Sequence, residues 1–156
     1  MCDKEGVYRS NIQILYSDLQ RAIADYIDHG HSAGEMKYIN AYSMAVLGAV
    51  VAYYDTVKAP QSGSKQKNEG KEILACKYAN NMLKHDPSIV THVQSSGGLS
   101  FRMSFPFSIE EIKVVWKWQD FHSKHPEQKA AFQELFANKP VLDTLQQVLT
   151  HLGIDI

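Results

Sequence analysis

The sequence predicts a mainly α fold: a single-domain bundle of about six helices around a buried central helix, with a short β-hairpin or single strand near residues 89–105. Three observations predict it. Ala41 to Tyr54, AYSMAVLGAVVAYY, crosses the middle of the chain without a charged side chain, and a helix apolar on every side has to be surrounded. Residues 12–28, 71–85 and 140–152 repeat apolar side chains at the three- and four-residue spacing of one helix face. Between residues 99 and 105 the period shortens to two, the alternation of a half-buried strand.

The first helix is expected from about Ile12 to Asp28, capped by Ser10 or Asn11. Ile12, Leu15, Tyr16, Leu19, Ala22, Ile23, Tyr26 and Ile27 share one arc, with Asp18, Arg21 and Asp25 opposite; only Ile14 falls outside the pattern. Gly30 ends it, and the short connection predicts an antiparallel neighbour. Ser32-Ala33-Gly34-Glu35 opens the second helix as a capping box, the Ser hydroxyl accepting from a free N–H while the Glu reaches back. Ala41, Ala45, Gly48, Ala49 and Ala52 recur along it at helical spacing, which suits close packing. Its uncharged run, Tyr38 to Tyr54, only touches the lower end of the ~17–25 residues of a membrane span. It also contains Asn40, Ser43 and four tyrosines.

Residues 59–70 hold no large apolar group and read as a mobile loop, as do residues 1–8. A third helix, about Lys71 to His85, is expected to bury Leu74, Tyr78, Ala79, Met82 and Leu83. Asp86-Pro87 is a helix-start signal, yet Ile89-Val90-Thr91-His92-Val93 is rich in β-branched residues, so helix and strand both remain open there. Ser95-Ser96-Gly97-Gly98 would let residues 99–105 fold back on 89–93. Ser108-Ile109-Glu110-Glu111 repeats the capping-box signature and predicts a helix to about Lys124, with Lys113, Lys117, Asp120 and Lys124 in one strip between two apolar flanks. His125-Pro126 breaks it, and helices of about Pro126 to Asn138 and Pro140 to Leu152 complete the chain.

A chain of 156 residues, 44% hydrophobic, is large enough for one core, so residues 1–156 are expected to form one helical domain. The net charge of −1, with acidic and basic residues interleaved, gives no electrostatic reason for a nucleic-acid or membrane-surface partner. Two cysteines, Cys2 and Cys76, are too few for a disulfide framework, and the first residues lack the apolar stretch of a secretory signal. A cytoplasmic protein is expected.

No catalytic set stands out. His29-Gly30-His31 with Glu35 has metal-ligand spacing but straddles a turn between helices; His122 and His125 precede a helix-breaking Pro126. Most histidines instead fall at expected helix ends, where a cationic ring suits the dipole. Cys76 lies on or near a buried face, Gly-x-Ser-x-Gly is absent, and the glycines make no phosphate loop. The final helix, candidate for a DNA-reading element, has Asp143, Gln146, Gln147 and His151 but no Lys or Arg. No metal, cofactor or catalytic residue is expected, and no motif carries a family resemblance.

Aromatic residues are the strongest lead. Trp116 and Trp118 point to different faces if residues 108–124 are helical, so either that helix is central or one flank awaits a partner. Phe101, Phe105, Phe107, Trp116, Trp118 and Phe121 are the expected partner-binding residues, Trp being a frequent interface anchor. The expected function is a small protein-binding module: an adaptor, an inhibitor or a self-associating subunit. The alternative is a helical protein binding a small molecule or metal, enzymes included, in a pocket of histidines and Tyr42, Tyr53, Tyr54 and Tyr78.

Overall fold

The structure, a computed structural model, describes residues 3–29, 33–61, 70–86, 88, 90–98, 108–118, 120 and 124–156. Over these residues the chain is mainly helical, with five helices and a two-stranded antiparallel sheet. Helix α1 is Lys4–Asp28 and α2 is Ala33–Tyr53. A π-helical turn, Tyr54–Lys58, and a last α turn, Ala59–Gln61, continue α2. Then come α3 (Lys71–His85), β1 (Val90–Gly98), β2 (Ser108–Trp116), α4 (Pro126–Leu135) and α5 (Val141–His151).

α1 starts eight residues earlier than its apolar periodicity suggests, because Asp3 caps it: the Asp3 carboxylate accepts from the Gly6 N–H at 3.1 Å. Residues 4–8 are therefore helical, where a mobile terminus was expected. The arc read from the sequence is the buried one, with Ile12, Tyr16, Leu19, Ile23 and Tyr26 enclosed and Ile14 left 61% exposed. The C-terminal tail is tied across α1, where Arg9 donates to the Gly153 carbonyl and Gln13 to that of Asp155, each at 2.7 Å.

At the end of α2 the turn widens. Pro60 has no N–H to give and crowds the carbonyl four residues back, and the Ala59 N–H reaches the Tyr54 carbonyl in the five-residue π pattern. Beside this turn Glu5 accepts from Arg9 Nε at 3.1 Å and from Tyr53 Oη at 3.0 Å, with Lys58 Nζ 3.8 Å away. The Arg9 and Tyr53 hydrogen bonds hold the Glu5 carboxyl below its ordinary range. A depressed folded-state value stabilises the native state above the ordinary carboxylate range, and that contribution fades as pH falls through this range to the folded value. Glu5→Gln should therefore lower the urea midpoint at neutral pH and leave it unchanged in acid, a difference that parallel titrations measure.

α3 matches its expected limits, and Ile73 and Cys76 join Tyr78, Ala79, Met82 and Leu83 in the core. Burial, then the nearby Glu72 carboxylate, push the Cys76 thiol far above its ordinary range. In a Cys2→Ser chain, a thiol reagent at mildly alkaline pH should modify Cys76 only after urea unfolds the protein; labelling of the native chain at the unfolded rate would contradict this burial.

The hairpin differs from the expected one in its second arm. The main-chain N–H and side-chain Oγ of Ser88 both bond the Asp86 carboxylate, at 2.9 and 2.6 Å, turning the chain out of α3 into β1. β1 then pairs with β2, Val90 opposite Trp116 and Gly98 opposite Ser108. The predicted helix from Ser108 is thus a strand through Trp116. Ile109, Ile112, Val114 and Val115 make the stretch β-branched, favouring extended backbone over the helix that Ser108 and Glu111 suggested. Residues 99–105, expected as the partner arm, lie outside the described residues, as do 106–107 and 62–69. Pro126 and Val141 open the last two helices near their expected positions, joined through Asn138, whose positive φ of 60° is a conformation Asn tolerates.

α2 packs against α1, α3 and β1, and so sits at the centre as expected. Its burial, however, is one-sided. Ile39, Ser43, Val46, Leu47, Val50 and Tyr53 are enclosed, while Tyr38 is 66% and Met44 41% exposed, with Ala41 exposed between them.

Candidate functional site

On a helical wheel Lys37, Tyr38, Ala41, Ala45 and Gly48 form the outward strip of α2. The strip is a ridge with a depression on either flank. On one side, Met36, Lys37, Asn40, Ala41 and Met44 form a groove of about 550 Å³ with Leu83 of α3, Val90 and Thr91 of β1, and Lys117. Its walls are mostly apolar and two of them are thioethers, which adapt to irregular surfaces. Asn40 braces the floor: its Nδ2 donates to the Met36 carbonyl at 3.0 Å and its Oδ1 accepts from the Val90 N–H at 3.3 Å. Lys37 and Lys117 are exposed, and neither forms an ion pair among the described residues.

The other flank has the opposite sign. Asp18, Arg21 and Asp25 of α1 face Glu35, Tyr38 and Tyr42 of α2 around a cleft of about 240 Å³. Arg21 pairs with Asp18 at 3.2 Å, and the two other charged side chains that line the cleft, Asp25 and Glu35, are acidic. Burial first, and then the Glu35 charge, raise the nearby Tyr26 hydroxyl above its ordinary range. Among the described residues no three His, Cys, Asp or Glu side chains converge to hold a metal ion, in this cleft or elsewhere. No helix there is long and apolar enough to cross a membrane.

The residues singled out from the sequence are dispersed. Phe101, Phe105, Phe107 and Phe121 lie outside the described residues. Trp116 is fully enclosed, stacked on Phe136 at 5.3 Å with its Nε1 donating to Thr144 Oγ1 at 2.7 Å. In this conformation it is a core residue and offers a partner no surface, because the strand that replaces the predicted helix turns it inward. Trp118 is half-buried, with Phe132 stacked at 6.3 Å and Lys129 Nζ 5.9 Å from the ring centre. Lys117, between the two tryptophans, reaches the groove. It is the first residue after β2 and is exposed, where Trp116 is enclosed and Trp118 half-buried.

The four tyrosines of the alternative reading do not converge on one pocket either. Tyr42 lines the acidic cleft, Tyr53 bonds Glu5, Tyr54 lies under Lys77, and Tyr78 packs on Phe132. His29 follows the end of α1, and His85 and His151 are the last residues of α3 and α5, as expected; His125 stands at the N-cap position of α4 with no capping bond from its side chain. His31 and His122 lie outside the described residues.

Comparison with protein-family models, with curated proteins and with solved structures finds no match for this chain.

Proposed function

We propose that this chain is a protein-binding module whose partner docks on the outer face of α2 and the adjoining groove. One observation carries the reading: α2, uncharged from Tyr38 to its end, is covered by the described residues on one side only, leaving Tyr38 and Met44 exposed beside a mostly apolar groove. An apolar helix face in water is costly unless something covers it. The sequence-based proposal of a protein-binding role is kept, and its centre moves from residues 99–121 to residues 36–48. A cytoplasmic setting belongs to the same proposal, supported by the free, buried Cys76.

A photo-crosslinking side chain tests it. Placed at Met44 in cells it should give a protein adduct, with this chain or another; placed at Ile14, more exposed than Met44 but outside the buried arc of α1, it should give none. No adduct at Met44, or equal adducts at both positions, would overturn the reading.

A further inference from the structure

We infer that the occupant of this face is a second copy of the chain, docked with the two α2 helices side by side and pointing the same way. The inference rests on the protein-binding reading above and names the partner.

Charge and symmetry carry it. The ridge has Lys37 and Lys117 on one flank and Asp18, Asp25 and Glu35 on the other, all at the level of the first turns of α2. Two identical surfaces meet across a two-fold axis. If the axis runs along α2, the helices are parallel, and the basic flank of each copy faces the acidic flank of its partner. If the axis crosses α2, the helices are antiparallel, and base meets base while acid meets acid. Only the parallel pair is electrostatically self-complementary, and such complementarity fixes register and rejects wrong arrangements. Between the flanks the ridge supports the same packing. Ala41, Ala45 and Gly48 are small, so two helices can approach to the short end of the usual 8–10 Å separation. Met44 then covers the partner's ridge, and Tyr38 lies against its edge.

The test uses the full chain and its mass in solution. The wild type should sediment at twice 17.6 kDa at about 100 μM, where even a micromolar pair is formed. Ala41→Glu should give monomer with an unchanged circular dichroism spectrum. Lys37→Glu and Asp25→Lys each put like charges on both facing flanks, and each should weaken the pair by about tenfold, since each change acts twice across the axis. Both substitutions suit their helix ends: an acid near the start of α2, a base near the end of α1. Combined in one chain they swap the charges at positions 37 and 25, so that opposite charges again face each other there across the axis, and association should return toward the wild-type level. An antiparallel pair predicts the opposite, because each single change mixes the signs on a flank that faces its own copy and so relieves repulsion there.

A wild type that stays monomeric overturns the inference, as does a dimer indifferent to Ala41→Glu or charge variants that fail to restore each other. If the wild type is monomeric yet Met44 still crosslinks to another protein, the self-association fails and the binding module stands. If Met44 crosslinks to nothing, both fail.

Discussion

Replacing Trp116 with alanine is expected to cost about 3–5 kcal/mol, the range for truncating a large enclosed aromatic. The residue is where three parts of the fold meet. Its ring stacks on Phe136 beyond α4, its Nε1 bonds Thr144 of α5, and its backbone joins the turn between them: the Trp116 N–H donates to the Lys139 carbonyl at 3.1 Å, and the Asn138 N–H donates to the Trp116 carbonyl at 2.7 Å. Thr144 Oγ1 keeps partners at the Pro140 and Val141 carbonyls, so the loss is chiefly packing and cavity. Against a typical domain stability of about 5–15 kcal/mol this removes a large share, and the urea midpoint reports it. Trp116→Phe keeps most of the ring contact and should lose about 1–2 kcal/mol, the indole hydrogen bond and some volume. A midpoint unmoved by Trp116→Ala would mean that the hairpin does not dock on the last two helices.

The second large effect compares two positions three residues apart on α2. Leu47 is fully buried and Met44 is exposed. Leu47→Asp places a charge in the interior with nothing to pair it, a change of the kind that exceeds about 4–5 kcal/mol. The chain should be unfolded by circular dichroism at room temperature. Met44→Asp costs only helix propensity and some surface contact, about 1 kcal/mol or less, and should leave the melting curve of the monomer nearly unchanged. The pair of measurements reads the two faces of one helix directly. Equal damage at both positions would mean that α2 is wrapped on all sides.

That face was not legible in the sequence, for a physical reason. Periodicity tells which side of a helix is buried only when one side is polar. In α1 and α5 it is, and Ile12, Tyr16 and Leu19, or Leu145, Val148 and Leu149, were read as core and are enclosed. From Ala41 to Tyr54 every side is apolar, so the sequence establishes the helix and its central place but not the direction its neighbours take. The groove is hidden for another reason: Lys117, which lines it, directly follows β2, a stretch whose local pattern predicts helix. Ser108 and Glu111 imitate a helix start so well that local capping chemistry outweighed the β-branched residues after them. Tertiary pairing with β1 decides between the two. The early start of α1 was missed because its first turns, unlike the rest, do not carry the apolar arc; the signal was the Asp3 cap.

The most direct measurement is methionine oxidation by peroxide in the dilute native chain, followed by mass spectrometry, since thioether oxidation follows exposure. The account predicts that Met44, 41% exposed, oxidises rapidly while Met82, 2% exposed, is protected until the protein unfolds. Oxidation of Met44 as slow as that of Met82 would contradict it, because the outer face of α2 would then be covered by its own chain.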